Sequence, residues 1–173
     1  MADARTGEDF DVDKLQNVVA EADMGGRRPG GAAGRALAGL AIAWSLFQLW
    51  YASPLPFAFG FGVFNDTEAR AIHLSFALMI AFAAFPALRS SPRDRVPWQE
   101  WILGAVGVVA VMYLVVFYRD IALRPGLPTT ADIVVAVVGV IALLEASRRA
   151  EGPWMPVISI IFLLYVFLGP WLP

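Results

Sequence analysis

Few side chains in this sequence could perform acid–base or ionic chemistry beside its apolar stretches, and the best placed ones form two pairs. Arg70 and His73 lie about one helical turn apart, whereas Arg149 follows Glu145 by four residues. His73 is the only histidine of the chain, and a histidine can accept a proton near neutral pH or orient a partner group. Glutamate followed by arginine at i and i+4 favours an ion pair on a helix. These spacings predict a proton relay or an interfacial hydrogen bond at His73 and a salt bridge at Glu145.

For His73 we favour the structural interpretation, an interfacial side chain bonded to a neighbouring helix or to water. A single histidine and the absence of cysteine leave no usual multi-histidine or thiolate metal site. The sequence also contains no Gly-rich phosphate loop, no HExxH motif, no nucleophile elbow and no basic patch interleaved with aromatic residues. We therefore expect no catalytic residue, no metal, no cofactor and no nucleic-acid partner, and a protein that is not an enzyme.

The stretch that must position His73 is long and apolar. Between Arg70 and Arg89 lie eighteen residues without formal charge. A helix of that length rises about 27 Å, close to the hydrocarbon thickness of a bilayer. The whole chain is 58% hydrophobic and 16% charged, which is more apolar than one soluble core of 173 residues would need. The sequence therefore predicts an all-α membrane protein.

Five apolar runs predict the layout, a bundle of four transmembrane helices plus a fifth C-terminal span. The runs cover about 36–52, 68–89, 101–118, 133–149 and 154–172. Residues 1–33 are predicted to be a disordered cytoplasmic leader, which runs into the Gly/Pro-rich tether RRPGGAAG. Residues 34–149 then form the four-helix membrane domain, and 150–173 contain the fifth span.

Polar residues predict where two of the helices begin. Asn65 or Asp66 can cap the second span, and Thr129 with Asp132 resembles a capping box for the fourth. Residues 53–67 contain Pro, Gly and Phe without helical spacing, so we expect a loop on the membrane surface.

Small and polar residues within the spans predict helix contacts. Gln48 in the first span can hydrogen-bond to another helix. Ala77 and Ala81 in the second span and Gly139 in the fourth allow close approach of backbones. We interpret these four positions as packing or partner contacts. Arg70 with His73 and Glu145 with Arg149 form the candidate polar site.

The placement of basic residues predicts the orientation of the chain. With five spans, ten of the thirteen Lys and Arg side chains fall on the side of the N-terminus. The other three, Arg70, Arg119 and Arg124, fall on the opposite side. By the positive-inside rule the N-terminus is cytoplasmic and the C-terminus is periplasmic.

Several segments resemble a known family of membrane transporters. They are AEADMGGRRPGG, AWSLFQLWYASPLPFAFGFGVFNDTEARAIHLSFAL, SSPRDRVPWQEW, RPGLPTTADIVVAVVGV, LLEASRRAEGP and FLLYVFLGPWLP. In this order, from about Val19 to the end, they resemble the N-terminal portion of the fused permeases of tripartite ATP-independent periplasmic (TRAP) transporters, specifically the TAXI branch.

The resemblance implies a membrane subunit, or an N-terminal fragment, of a secondary active symporter in the bacterial inner membrane. In that family a small four-helix component braces a large permease component. An extracytoplasmic TAXI-type solute-binding protein delivers the solute, often a carboxylate, and a cation gradient typically drives uptake. The first four spans resemble the small component, and residues 154–172 resemble the first helix of the large one.

Fused members of the family continue past a GPxLP-like sequence, whereas this sequence stops at Gly169-Pro170-Trp171-Leu172-Pro173. We therefore expect either a truncated fused permease or a split subunit whose large partner is a separate chain, and in both cases a chain that does not transport alone. The residues also allow a stand-alone membrane scaffold with no part in transport. A membrane-embedded enzyme is disfavoured, because too few ionisable side chains face the bilayer to supply an acid, a base and a binding site together.

Overall fold

The computed structural model describes residues 26–27, 29–88 and 90–169, and within these residues it contains helices and connections but no strand. The all-α prediction is therefore confirmed for the described residues. Their helices are α1 (Gly31–Ala52), α2 (Leu55–Phe59), α3 (Asp66–Ala84), α4 (Trp98–Val116), α5 (Tyr118–Ala122), α6 (Thr130–Glu151) and α7 (Trp154–Leu168).

Four of these helices, α1, α3, α4 and α6, have 19 to 22 residues and are long and apolar enough to cross a membrane. The chain is therefore a multi-pass membrane protein. The helix α7 is apolar but has 15 residues, which corresponds to about 22 Å at the α-helical rise. The predicted fifth span extended to residue 172, and its last residues lie outside the described part of the chain.

The core of the bundle lies among α3, α4 and α6. Leu78 and Phe82 of α3 are the largest fully buried side chains, at 1% and 2% exposure. They pack with Ala71 of the same helix, Val111 of α4, and Ala142 and Ala146 of α6. The helix α1 packs against α3 and α7 packs against α6, and α1 contains no buried residue.

Glycines allow α4 to approach its neighbours closely. A Cβ atom on Gly104 would lie 2.9 Å from the sulfur of Met79 in α3. A Cβ atom on Gly107 would lie 3.3 Å from the Cβ of Ala142 in α6 and 3.4 Å from Leu78 Cδ1. Because helix cores are close-packed, larger residues at these two positions would force α4 away from α3 and α6.

The helix boundaries differ from the predicted spans by a few residues. The helix α1 begins at Gly31, so the end of the predicted leader is already helical. The helix α3 ends at Ala84 and not at residue 89, because Phe85 is extended and is followed by a proline.

The predicted caps of α3 and α6 are confirmed. The backbone N–H of Glu68 donates to Asn65 at 2.9 Å, and the Glu68 carboxylate accepts from the Asn65 N–H at 3.0 Å. Thr129 and Asp132 form the same reciprocal pair, at 3.3 and 2.7 Å. Of the two candidates for the cap of α3, Asn65 is the cap and Asp66 is the first helical residue.

Two predictions of irregular chain are wrong in part. The segment 53–67 contains the short helix α2. Pro54 caps its start, and Gly60, in the left-handed conformation at φ 63°, caps its end. The Gly/Pro-rich tether is anchored at Arg27. This residue inserts into the end of the bundle and is 6% exposed. Residues 1–25 and 28 of the predicted leader lie outside the described residues.

The two ends of the bundle are named here by their side chains. The arginine end contains the last turns of α3 and α6 and the first turns of α1, α4 and α7. The histidine end contains the first turns of α3 and α6, the last turns of α1 and α4, and the short helices α2 and α5.

Candidate functional site

An ionic network, the arginine cluster, lies at the arginine end of the bundle. It consists of Arg27, Glu100, Glu145, Arg148 and Arg149. On α6 the spacing of the residues makes the first contacts, since side chains three and four residues apart share a helix face. Glu145 pairs with Arg148 and with Arg149, each at 2.7 Å, so the predicted pair of Glu145 and Arg149 is present.

Glu100, in the first turn of α4, connects α6 to the segment before α1. One carboxylate oxygen accepts from Arg27 Nη2 at 2.9 Å, and the other accepts from Arg149 Nη1. The three side chains have exposed fractions of 0% for Arg27, 3% for Arg149 and 7% for Glu100. Charge-assisted hydrogen bonds in such a buried setting are stronger than those made in water.

The aromatic ring of Phe82 completes the buried part of the arginine cluster. The guanidinium carbon of Arg149 lies 4.6 Å from the centroid of this ring. Because Phe82 is 2% exposed, this cation–π contact is shielded from water. Cation–π contacts that are shielded in this way contribute about 2 kcal/mol. The arginine cluster thus joins α3, α4 and α6 through one set of contacts.

The chemistry available to the arginine cluster is limited because every oxygen of its two carboxylates already accepts a hydrogen bond. Both oxygens of Glu100 and both oxygens of Glu145 accept hydrogen bonds from arginine side chains. Arginine stays protonated in proteins and therefore does not exchange protons with these acids. The arrangement is suited to bracing helices and poorly suited to proton transfer.

A smaller polar group, the histidine cluster, joins α1 to α3 and consists of Trp44, Gln48 and His73. The Trp44 indole N–H donates to His73 Nδ1 at 3.1 Å, and the Gln48 side-chain amide contacts the same nitrogen. The Trp44 and His73 rings also meet edge to face, with centroids 4.9 Å apart. Because an indole can only donate, Nδ1 is the accepting nitrogen and the neutral ring carries its proton on Nε2.

Arg70, the predicted companion of His73, pairs instead with Asp66 of its own helix at 2.9 Å. Both side chains of that ion pair are largely exposed, at 79% and 69%. Arg70 and His73 do line one cavity of about 280 Å³, together with Gln48 and Tyr51. The contacts of the His73 ring with Trp44 and Gln48 both come from α1, which is typical of an interhelical contact.

A third polar group at the histidine end was not predicted from the sequence, which assigned Asp132 only to a helix cap. Tyr113 donates its hydroxyl to Asp132 at 2.8 Å, and Arg124 pairs with the same carboxylate at 2.7 Å. These contacts join α4, α6 and the connection between them. They border an apolar groove of about 430 Å³ that Gly139 also lines.

The predicted packing positions of α3 and α6 are half-buried. Ala77 and Ala81 are half-buried on α3, and Ala81 packs against the hydrophobic core. A Cβ atom on Gly139 would lie 3.8 Å from that of Ala110 in α4, an ordinary contact distance. The tighter glycine approaches, at Gly104 and Gly107, were missed, although their small-residue spacing in α4 was a usable signal.

The sequence reasoning also missed three members of the arginine cluster, Arg27, Glu100 and Arg148. An acidic residue in the first turn of an apolar span needs a partner, and this was the available signal for Glu100. Arg27 carried no such signal, because it lies in a Gly/Pro-rich run far from its partners in sequence.

Groups of three or more His, Asp or Glu side chains that could hold a metal ion do not occur among the described residues. Comparison of the chain with protein-family models, with curated protein sequences and with solved structures finds no match.

Proposed function

We propose that this chain is the scaffold component of a TRAP-type, TAXI-branch solute uptake system in the bacterial inner membrane. It braces a large permease component and does not itself carry the transport site. Two things support the proposal: the order of the sequence segments that resemble fused TRAP permeases, and a bundle in which ionic side chains are used to join helices.

The observation that carries the scaffold role is the uncovered flank formed by α7. This helix packs against α6, and every one of its residues except Pro156 is exposed. Phe162 and Tyr165 are 66% and 63% exposed. A helix with so much free apolar surface beside a braced bundle is suited to pack against further membrane helices. In the proposed system these belong to the large permease component.

The proposed orientation follows from the basic residues. The arginine end faces the cytoplasm, and the histidine end faces the periplasm, where a TAXI-type solute-binding protein delivers solute to the assembled permease. In this proposal a cation gradient drives uptake through the large component. The saturated arginine cluster supports a bracing role for the present chain, because its side chains are already paired with one another.

A photo-crosslinking experiment tests the partner. A photoreactive amino acid replaces Phe162 in the full chain, which is co-expressed in membranes with a large TAXI-type TRAP permease component. We expect a covalent adduct with that component. The matched control replaces Val109 of α4, which is 70% exposed but lies on another helix, and we expect little adduct there.

Two results would contradict this proposal. Equal adducts at both positions would show that α7 is not the contact, and the absence of any adduct together with purification of the chain alone would favour a stand-alone scaffold. A genome that encodes no large permease component and no secreted solute-binding protein near this chain would count against the TRAP assignment itself.

A further inference from the structure

Arg27 enters the arginine end of the bundle from a Gly/Pro-rich segment, and its side chain is completely shielded from solvent. The exposed fraction of its side chain is 0%. A buried arginine is rare unless its guanidinium is paired and hydrogen-bonded. The atoms that surround Arg27 therefore indicate what kind of group this end of the bundle is built to hold.

The first set of partners is the C-terminal end of α3. Arg27 Nη1 donates to the carbonyl oxygens of Phe82 and Ala83, both at 3.2 Å, and the Arg27 backbone N–H donates to the Ala84 carbonyl. The last carbonyls of a helix lack intrahelical donors and carry the negative end of the helix dipole. Because α3 has no basic residue in its own last turn, Arg27 supplies the cation that these carbonyls favour.

The second set of partners belongs to the connection between α3 and α4 and to the start of α4. Arg27 Nε donates to the Pro92 carbonyl at 3.1 Å, and Nη2 donates to Glu100 at 2.9 Å. Each nitrogen of the guanidinium thus has an acceptor that a different part of the fold supplies. A planar fork of N–H groups can satisfy this arrangement, whereas the single ammonium of a lysine cannot reach all of it.

We propose that the arginine end of the bundle is a guanidinium-binding site, formed by the end of α3, Pro92 and Glu100, and that Arg27 is its built-in ligand. Occupancy of this site holds the end of α3 against the start of α4. The ligand class is a guanidinium ion, because the acceptors include one carboxylate and several carbonyls arranged around a planar cation. This proposal does not depend on the TRAP assignment.

Chemical rescue of the purified full chain in detergent tests the site. Arg27→Ala leaves one oxygen of the buried Glu100 carboxylate and several carbonyls without their donor, while Arg149 still holds the other oxygen, so we expect the unfolding midpoint to fall by about 10 °C. Millimolar guanidinium chloride should restore at least half of that loss in a saturable manner, whereas sodium chloride at the same ionic strength should not. The wild-type chain, whose site is occupied, should show no such rise.

Control variants separate the site from general effects of losing an arginine. Arg35→Ala removes an exposed arginine of α1, and we expect neither a loss of stability nor a response to guanidinium. In Arg27→Ala combined with Glu100→Gln the rescue should disappear, because the site has lost its anion. Arg27→Lys keeps the charge but not the fork, and we expect it to lose at least half as much stability as Arg27→Ala.

Three outcomes would overturn the proposal. The first is an Arg27→Ala chain as stable as the wild type. The second is an Arg27→Ala chain whose unfolding midpoint rises as much with sodium chloride as with guanidinium chloride. The third is an Arg27→Lys chain with the unfolding midpoint of the wild type. If Arg27→Ala yields no folded protein, Arg27→Lys decides alone, because wild-type stability in that variant would show that a point charge is sufficient.

Discussion

The two ends of the bundle use charged and polar side chains in different ways. At the arginine end, Glu100 joins partners that are 73 and 49 residues away in sequence, and the side chains are buried. At the histidine end, the ion pair of Asp66 and Arg70 stays within one turn of α3 and is exposed. Exposed pairs contribute little to stability, whereas breaking a buried pair is costly. The comparison indicates that the deeply buried ionic contacts between helices lie at the arginine end, whereas the ion pair of Asp66 and Arg70 at the histidine end is local and exposed.

The largest expected effect comes from neutralising Glu100. Glu100→Gln leaves the buried guanidiniums of Arg27 and Arg149 without their shared carboxylate, and we expect it to destabilise the chain by about 3–5 kcal/mol. Thermal unfolding in detergent, followed by the loss of helical circular dichroism, measures this change. The matched control at the other end is Asp66→Asn, for which we expect little change because the pair it breaks is exposed. Similar losses for both variants would remove the distinction between the two ends.

A change in the middle of the bundle separates helix packing from the polar contacts at either end. Gly107→Leu places a side chain where a Cβ atom alone would lie 3.3 Å from Ala142, and we expect a cost of about 1–3 kcal/mol from overpacking. Gly39→Leu in α1 is the control, since nothing lies within 4 Å of a Cβ atom there. The same unfolding measurement applies to both variants. If Gly39→Leu is the more harmful change, the assignment of the core to α3, α4 and α6 is wrong.

The smallest expected effect concerns the contact between α1 and α3. Trp44→Phe keeps an aromatic ring but removes the indole N–H that donates to His73, and we expect a loss of about 0.5–1.5 kcal/mol. A double-mutant cycle with His73→Phe isolates the contact, because Trp44→Phe should have little further effect once His73 is absent. A coupling as large as the loss in Glu100→Gln would show that the histidine end braces the bundle as strongly as the arginine end.

Much of the helical layout could be predicted from the sequence because it depends on local properties. Apolar runs of nearly membrane thickness located α1, α3, α4 and α6. The capping box of α6 was recognised because its partners are three residues apart, and the cap of α3 was narrowed to Asn65 or Asp66. The short helix α2 was missed, since the proline and glycine that begin and end it also indicate a loop. The pair of Glu145 and Arg149 was found for the same local reason as the caps.

The candidate sites were predicted only where their members are neighbours in sequence. Gln48 was expected to bond to another helix, but its partner, His73, could not be named, because the spacing within α1 says nothing about which face of α3 it meets. Arg70 was grouped with His73 by its spacing, whereas the structure pairs it with Asp66 one turn earlier.

The sequence by itself determined that this is an all-helical membrane protein, where its long helices lie and how two of them begin, because hydrophobic length and capping act within a few residues. Only the tertiary structure decided that Arg27, from a segment that reads as a flexible tether, is buried at the end of α3 and bound to Glu100. The physical reason is that a buried charge is satisfied by whichever acceptors the folded helices bring near it, and these acceptors are spread over three separate stretches of the chain.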